Sequence, residues 1–227
     1  MEHDPAAIRS ITHDMRNLLT AIRGHAELAL RGVSPEDPLR EDIAHCVVVT
    51  ATVFDLIDQL DGADSSETLV AVNLDPSVQA MRRLLDALLP PSIELVVATD
   101  SDGAYVGISK LRIERIVLNL ALNARDAMED GGTLSVRTDR PDEEEARIIV
   151  GDTGPGFSEE ALDHLFEIGF TTKGERGGSG HGLAALAPFV EEAGGAIDVD
   201  SVAGQGATIT VTLPTADLGG PDDDVSD

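Results

Sequence analysis

The sequence predicts an α+β chain, in which an antiparallel pair of long helices precedes a domain that mixes strands and helices. Apolar residues near the N-terminus recur at alternating three- and four-residue steps, the spacing of one buried helix face: Ile8, Ile11, Met15, Leu18 and Ile22. Beyond residue 68 the pattern changes to short apolar or alternating runs separated by turn residues, as expected for strands. Of the 227 residues, 42% are hydrophobic, which is enough for a packed core. We therefore expect an N-terminal helical hairpin followed by an α/β sandwich.

The two N-terminal helices are bounded by capping and turn signals. Asp4 and Pro5 predict the start of the first helix, and Gly32 predicts its end. Ser34 is the expected N-cap of the second helix. The apolar stripe of that helix comprises Leu39, Ile43, Val47, Thr50, Phe54, Ile57 and Leu60. One hairpin cannot bury both stripes, whereas two copies can form a four-helix bundle, so residues 1–62 are predicted to be a homodimerisation unit.

The remainder of the chain is predicted to contain a linker, a second domain and a tail. Residues 63–67 form the expected linker, residues 68–214 the α/β domain, and the acidic residues 215–227 a disordered tail. Strands are expected at residues 69–74, 93–99, 104–108, 134–138, 147–150, 197–201 and 208–213. Helices are expected at residues 75–89, 109–128, 159–166 and 182–193, with Ser109 capping the second and Pro188 kinking the last.

The charge and the single cysteine limit the partners and the compartment. The chain has 42 acidic and 16 basic residues and a formal net charge of -26, which argues against binding nucleic acid or an anionic membrane. Because Cys46 is the only cysteine, no internal disulfide can form, and this fits a reducing compartment. The apolar runs are too short to span a bilayer, and the chain does not open with a signal peptide. We therefore expect a cytoplasmic chain with no membrane segment.

His13 is a candidate nucleophile on the first helix. It lies off the apolar stripe and shares an exposed face with Arg16, Asn17 and Thr20, which follow it by three, four and seven residues. A neutral imidazole nitrogen outside the core attacks well near pH 7. The alternative is an ordinary solvated histidine, and this stretch alone does not separate the two.

Polar residues on the predicted 109–128 helix form a second candidate site. Asn119, Asn123 and Asp126 are separated by four and three residues, so they share one helix face. Amide oxygens suit a hard cation such as Mg²⁺, which keeps several waters and binds phosphates. The alternative is a merely hydrophilic helix face.

Three glycine-rich stretches follow in the second domain. Asp152 ends a strand, where its carboxylate can accept a hydrogen bond from an exocyclic amine, and Gly154 and Gly156 admit a flat ligand. Lys173 and the amides of residues 177–182, at a helix start, can bind an anion. The third stretch is the turn at residues 204–208. For the three stretches in that order, the alternatives to a ligand site are a simple turn, a disordered loop and a simple hairpin.

The order and spacing of these stretches resemble the sensor histidine kinases of two-component signalling, over about residues 8–214. The residues from His13 to Asn17 resemble the phosphoacceptor box, and those from Asn119 to Asp126 resemble the asparagine box. Four stretches resemble the remaining boxes of the Bergerat-type ATP-binding fold: 152–156, 166–170, 178–182 and 204–208.

The resemblance implies phosphorylation of His13 by ATP in the presence of Mg²⁺. Asp14 would orient or deprotonate the ring, and Asn123 would ligate Mg²⁺ at the phosphates. Asp152, helped by Thr208, would accept a hydrogen bond from the adenine amine. The nucleotide-binding residues that the resemblance implies are Asn119, Asn123, Arg125, Asp126, Asp152, Gly154, Gly156, Lys173, Gly178, Ser179, Gly180, His181, Gly182, Leu183 and Thr208.

The resemblance also implies partners. The phosphoryl group would pass to an aspartate on the receiver domain of a response regulator. Asn17 stands where the family positions a water for the reverse, phosphatase reaction. No sensory domain precedes the hairpin, so a separate sensor protein would supply the input unless the chain is part of a longer protein.

Some residues depart from the family pattern. Asp126 stands where many members have Lys, although a large subgroup shares its form, and His181 stands where an apolar residue is usual. Ala207 replaces a common Thr, and Pro188 interrupts the helix that follows the glycine-rich lid. These departures make the rate of the reaction harder to predict than the binding of nucleotide.

Two other classes of protein remain open. A phosphotransfer scaffold would keep the hairpin and use a nucleotide-like domain for docking only, and the intact Asn123 and Asp152 argue against it. A Bergerat-type ATPase without histidine transfer, such as a chaperone or topoisomerase module, would not need His13 on an amphipathic hairpin.

Overall fold

The computed structural model describes residues 5–34, 37, 39–40, 42–43, 46–47, 49–50, 53–54, 57, 71–162, 164–167, 183–184 and 186–216. The chain divides into two compact units, one of Met1–Ser66 with Asp86–Leu88 and one of Glu67–Leu85 with Leu89–Asp227. The predicted linker and residues 217–227 of the predicted tail lie outside the described residues. The first two residues of that tail are ordered, contrary to the prediction, because the Thr215 amide donates to the Glu144 carbonyl and the Ala216 amide to the Tyr105 carbonyl.

Helix α1, Pro5–Gly32, begins and ends where the sequence predicts. The described residues from 39 to 57 are also helical. The N-cap of this second helical stretch is Asp37 and not the predicted Ser34, because the Asp37 carboxylate accepts a hydrogen bond from the Leu39 amide at 2.9 Å. The carbonyl of Ser34 instead closes the preceding turn by accepting from the Asp37 amide at 3.1 Å.

The apolar stripe of α1 is exposed within the single chain, in keeping with the expectation that one hairpin cannot bury it. Ile11 is 59% exposed, Leu18 66% and Ile22 52%. The chain covers a different face of the helix, on which Thr12 and Leu30 are each 3% exposed. A single chain therefore leaves an apolar helix surface open to solvent.

Apart from residues 86–88 at the end of its first helix, which are grouped with the first unit, the second unit contains two sheets and four helices among its described residues. In chain order these elements are β1 Val72–Asn73, α2 Leu74–Leu88, β2 Ile93–Asp100, β3 Tyr105–Val106, α3 Lys110–Ala127, β4 Gly132–Asp139, β5 Glu145–Asp152, α4 Glu159–Leu162, α5 Ala187–Glu192, β6 Ala196–Ser201 and β7 Ala207–Pro214. The larger sheet has the strand order β2-β4-β5-β7-β6. Strand β2 runs parallel to β4, and the other neighbours are antiparallel.

The core of this unit lies between one face of the larger sheet and the helices. Alternate residues of the three central strands β4, β5 and β7 are buried, including Leu134, Val136, Ile148, Val150, Ile209 and Val211. Helix α3 packs on β4 and β5, and its buried residues include Ile113, Ile116, Val117 and Leu120. Ser109 caps α3 as predicted, because its side chain accepts from the Arg112 amide at 3.3 Å. The arrangement is a mixed α/β sandwich.

Two predicted elements near the start of this unit differ from the structure. Of the strand predicted at 69–74, residues 69–70 lie outside the described part of the chain, and the rest contains only β1, because helix α2 already begins at Leu74 with Asn73 as its N-cap. Asp75, predicted to start that helix, accepts hydrogen bonds from the backbone and hydroxyl of Ser101 and from Thr138. The short β3 pairs with β1 and not with the preceding β2.

Pro188 does not kink a long helix among the described residues. Helix α5 begins only at Ala187, so Pro188 lies in its first turn, where a missing amide donor is tolerated. No helix in the described part of the chain is both long enough and apolar enough to cross a membrane.

Candidate functional site

Two side chains approach the same ring nitrogen of His13 on α1. The His13 Nδ1 atom is 3.3 Å from Asn17 Nδ2 and 3.6 Å from Asp14 Oδ1. His13 and Asp14 are 74% and 75% exposed, so the ring is accessible to a large partner. Asp14 lies within reach although it is the next residue in sequence, as a rotamer choice allows.

The two neighbours favour different tautomers of the ring. Asp14 can accept only from a protonated Nδ1, which leaves the lone pair on Nε2 and makes that atom the nucleophile. The Asn17 amide can donate only to an unprotonated Nδ1, which places the ring proton on Nε2. The arrangement can therefore present a reactive imidazole when Asp14 is the partner.

The predicted asparagine pair lies on α3 and is partly buried. Asn119 is 8% exposed, and among the described residues its Nδ2 has no hydrogen-bond partner. Asn123, one turn later, is half-buried. Buried polar groups are almost always satisfied, so an unpaired amide donor at this position is suited to a bound ligand.

Arg125 and Asp126 form an ion pair at the end of the same helix. The Arg125 Nε and Nη2 atoms lie 2.8 and 2.6 Å from Asp126 Oδ1. The guanidinium offsets the negative charge of Asp126, which would otherwise repel an anionic ligand nearby.

The residues on α3 fit a magnesium ion that is held mainly by a ligand. Within the described part of the chain, no three His, Cys, Asp or Glu side chains are grouped to bind a metal. Asn123 offers one half-buried amide oxygen. Mg²⁺ usually takes one or two protein ligands and completes its shell with water and phosphate oxygens, so a single amide is compatible with it.

Asp152 ends β5 on the face of the sheet that the helices cover. Its Oδ1 atom accepts a hydrogen bond from the Gly154 amide at 2.8 Å. Burial raises the pKa of Asp152, and the backbone amides of Gly154 and Ala207 partly oppose that rise. The result is a half-buried acceptor of fixed orientation at a strand end.

The glycines around Asp152 allow two loops to approach closely. A Cβ atom on Gly206 would lie 2.0 Å from the Asp152 carbonyl oxygen, and one on Gly156 would lie 2.5 Å from the Val202 carbonyl oxygen. The Ser201 hydroxyl accepts from the Phe157 amide at 2.8 Å and donates to the Gly206 carbonyl at 2.9 Å. The loop after β5 and the β6–β7 turn are thus connected directly behind Asp152.

Thr208 lies on the opposite face of the sheet from Asp152. The structure therefore does not support the expectation that Thr208 assists Asp152 in binding the adenine. In the strand register Asp152 pairs with Ala207, and Thr208 pairs with Gly151. Directly paired residues point to the same face, so Ala207 is the neighbour of Asp152 and offers it no hydroxyl. A shift of one residue reverses the face, and the sequence does not reveal that register.

The predicted phosphate-binding segment is mostly outside the described residues. These positions are Lys173, Gly178, Ser179, Gly180, His181 and Gly182. Leu183, the last residue in the predicted set, is described and is 7% exposed. Sequence reasoning did not single out Ser201, because a serine before a glycine-rich turn is common and its two contacts depend on the loop that packs against it.

The α/β unit matches a known ATPase family. Residues 108–217 match the family described as "Histidine kinase-, DNA gyrase B-, and HSP90-like ATPase". A curated relative, the sensor kinase CckA of Brucella abortus (strain 2308), is 32% identical over 220 residues, which cover 90% of this chain and 23% of the relative. The chain thus spans about a quarter of the length of that relative.

Solved structures show the same fold. The mycobacterial sensor histidine kinase MprB is 28% identical with a TM-score of 0.53, and the match covers 65% of this chain and 98% of that structure. Full-length ShkA, solved in complex with AMPPNP, is 24% identical with a TM-score of 0.64, and the match covers 94% of this chain and 46% of the ShkA chain. The predicted resemblance to sensor histidine kinases is confirmed, and it is carried by residues 108–217, which match the histidine kinase-, DNA gyrase B- and HSP90-like ATPase family.

Proposed function

We propose that this chain is the core of a histidine kinase, which transfers the γ-phosphoryl group of ATP to His13. The observation that supports this most directly is the position of Asp14 beside Nδ1 of an exposed His13. The same chain contains a domain of an ATPase family that includes histidine kinases. An ATPase module without histidine transfer would have no use for this exposed pair.

The proposed chemical step uses the ring nitrogen that Asp14 does not approach. With the Nδ1 proton directed to Asp14, Nε2 attacks the γ-phosphorus of ATP. A phosphorus–nitrogen bond forms, the bond from that phosphorus to the β–γ bridging oxygen breaks, and ADP leaves. The ring proton passes from Nδ1 to Asp14 or to water. Such a transfer depends mainly on positioning and on neutralisation of charge.

The proposed nucleotide site combines the acceptor on β5 with the amides on α3. Asp152 accepts a hydrogen bond from the adenine amine, and the unpaired Asn119 Nδ2 donates to an oxygen of the nucleotide. Bound at Asn123, Mg²⁺ would neutralise charge on the phosphates. Lys173 and the amides from residue 178 to Leu183 are proposed to bind those phosphates, on sequence grounds.

We further propose that the phosphoryl group passes to an aspartate on a response regulator. The aspartate oxygen attacks phosphorus and the phosphorus–nitrogen bond breaks. Asn17 lies close enough to His13 to orient a water against the resulting acyl phosphate, which would give phosphatase activity. The exposed apolar stripe of α1 supports a homodimer, in which two copies would form a four-helix bundle.

The test is incubation with γ-labelled ATP and Mg²⁺, followed by acid and alkali treatment of the labelled protein. Label should be stable to alkali and labile to acid, and His13→Ala should abolish it. His25→Ala is the matched control, because His25 is exposed on the same helix and its Nδ1 lies 2.7 Å from the Ala21 carbonyl oxygen. The control should keep its label.

The same experiment separates the alternatives. ATP hydrolysis without protein label would support an ATPase that does not transfer to histidine. Absence of both label and nucleotide binding would support a phosphotransfer scaffold. Label that persists in His13→Ala would place the nucleophile elsewhere.

A further inference from the structure

The residue that follows Asp152 is held by two contacts with distant segments. Thr153 Oγ1 accepts a hydrogen bond from the Thr133 amide at 3.0 Å and donates to Met128 Sδ at 4.0 Å. Thr133 lies at the start of β4, and Met128 is the C-cap of α3. One hydroxyl therefore connects the end of β5 with the start of β4 and with the helix that contains the asparagine pair.

Gly132 allows these contacts to form. A Cβ atom on Gly132 would lie 2.6 Å from Thr153 Oγ1 and 2.8 Å from Met128 Sδ. Both distances are well below ordinary non-bonded separations, so a side chain there would push the hydroxyl and the thioether away. The absence of a side chain at this position lets the loop after β5 lie against the end of α3.

The same contacts fix the peptide group that orients the Asp152 carboxylate. The Gly154 amide, which donates to Asp152 Oδ1 at 2.8 Å, belongs to the planar peptide unit that joins Thr153 to Gly154. Gly154 itself lies against the end of α3, because a Cβ atom on it would be 3.2 Å from Met128 Cγ. A rotation of the backbone at Thr153 would therefore turn the Gly154 amide away from the carboxylate.

The role of an ordinary turn threonine does not explain this arrangement. A threonine hydroxyl in a turn usually bonds to the backbone of a near neighbour in the sequence. The two partners of Thr153 instead precede it by 20 and 25 residues. Thr153 is also exposed, so its side chain contributes little to the packed core. Its contacts are better explained by the need to fix the residue before it, Asp152.

We propose that Thr153 is a positioning residue for recognition of the exocyclic amine of adenine. By holding the Gly154 amide on Asp152 Oδ1, its hydroxyl keeps the carboxylate in the orientation that accepts a hydrogen bond from the amine. The inference rests on the proposed function, since it assumes that Asp152 binds the adenine amine. It predicts that loss of the hydroxyl weakens the binding of ATP and leaves unchanged the binding of a nucleotide without that amine.

The experiment compares ATP with inosine triphosphate, which has a carbonyl oxygen in place of the amine and cannot donate to a carboxylate. Thr153→Val keeps the approximate volume of the side chain and removes its hydroxyl. In the full chain, this variant should raise the dissociation constant of Mg²⁺-ATP in calorimetry by about two- to tenfold, the range expected for one neutral hydrogen bond. The dissociation constant of Mg²⁺-inosine triphosphate should be unchanged.

Two further variants distinguish positioning from general support of the fold. Thr153→Ser keeps a hydroxyl at the same position and should bind both nucleotides as the unmodified chain does. Thr215→Val is the matched control, because the Thr215 hydroxyl donates to the Glu143 carbonyl at 2.7 Å, near the end of β5 that lies away from Asp152. This control also removes a threonine hydroxyl that bonds to backbone, and it should leave both dissociation constants unchanged.

The results that would overturn the inference are distinct from those that would overturn the proposed function. Equal weakening of both nucleotides in Thr153→Val, or weakened ATP binding in Thr153→Ser, would mean that the residue only supports the unit. Unchanged ATP binding in Thr153→Val would also refute the inference. If the unmodified chain binds both nucleotides equally, Asp152 does not recognise the amine, and the inference fails although nucleotide binding stands. If the unmodified chain binds no ATP, the proposed function itself is wrong.

Discussion

Gly206→Ala is predicted to damage both the stability of the α/β unit and the binding of nucleotide. Gly206 has a φ of +92°, which an L-residue rarely adopts. A Cβ atom there would lie 2.0 Å from the carbonyl oxygen of Asp152 and 3.1 Å from Thr153 Cα. Both contacts are with backbone, so a side-chain rotation cannot relieve them, and β5 or the β6–β7 turn has to move.

Gly204→Ala, in the same turn, is the control for the stability cost of Gly206→Ala. The φ of Gly204 is +81°, and a Cβ atom would have no neighbour within 4 Å. Gly204→Ala therefore costs only the left-handed backbone conformation, about 1–2 kcal/mol. Gly206→Ala adds an overpacking cost of about 1–3 kcal/mol, which gives a total of about 2–5 kcal/mol.

Thermal unfolding of the two variants, together with ATP binding, tests this reasoning. Each kcal/mol corresponds to about 2–4 °C in the midpoint for a unit of this size. Gly206→Ala should therefore unfold at a clearly lower temperature than Gly204→Ala and should bind ATP more weakly, because the displaced atom belongs to Asp152. Equal midpoints and equal affinities would show that the turn relaxes freely, and the argument from close approach would be wrong.

Four further predictions concern single residues. Because burial raises the pKa of Asp152, its ionised form costs stability at pH values above that raised pKa, and the cost disappears as the pH falls from there to the ordinary pKa of an aspartate. Asp152→Asn should therefore raise the unfolding midpoint at neutral pH but weaken ATP binding, and a pH series in which the unmodified chain keeps full affinity down to the ordinary range of an aspartate would contradict this. Asp75→Asn should lower the unfolding midpoint, at a cost of about 1–3 kcal/mol for disturbed, partly buried hydrogen bonds, with little change in ATP affinity. Asn17→Ala should keep most phosphorylation of His13 and reduce dephosphorylation of a labelled regulator by about a hundredfold, and equal loss of both activities would mean that Asn17 only supports the ring. Leu18→Glu, at a position that is 66% exposed in the single chain, should shift sedimentation of the full chain from dimer to monomer without unfolding α1, whereas an unchanged dimer would place the interface elsewhere.

Helices α1 and α3 and most of the strands were predictable because their signals are local, whereas the helices predicted at 159–166 and 182–193 are shortened to α4 and α5. The three- and four-residue periodicity and the terminal Gly32 define α1, and the hydroxyl of Ser109 defines the start of α3. The four-residue spacing of Asn119 and Asn123 places both on one face of that helix without any tertiary information. The position of Asp152 at a strand end was predictable for the same reason.

The sequence was insufficient wherever the outcome depends on contacts between distant segments. Strand β3, residues 105–106, pairs with β1, residues 72–73, which is distant in the sequence. The turn residues between β2 and β3 do not indicate this pairing. From the sequence, the Asp75 side chain could cap a helix or accept hydrogen bonds from Ser101 and Thr138, which follow it by 26 and 63 residues. Only the packing of these segments selects the contacts with Ser101 and Thr138.

By itself, the sequence determined the order of the elements, the exposure of His13 on α1 and the presence of a carboxylate beside glycines at the end of β5. These follow from residue spacing along one helix or one strand. Only the tertiary structure decided that Ala207, and not Thr208, is the neighbour of Asp152, because that depends on the pairing of β5 with β7. It also decided that the apolar stripe with Leu18 remains open to solvent, since periodicity shows that a helix face is apolar but not what covers it.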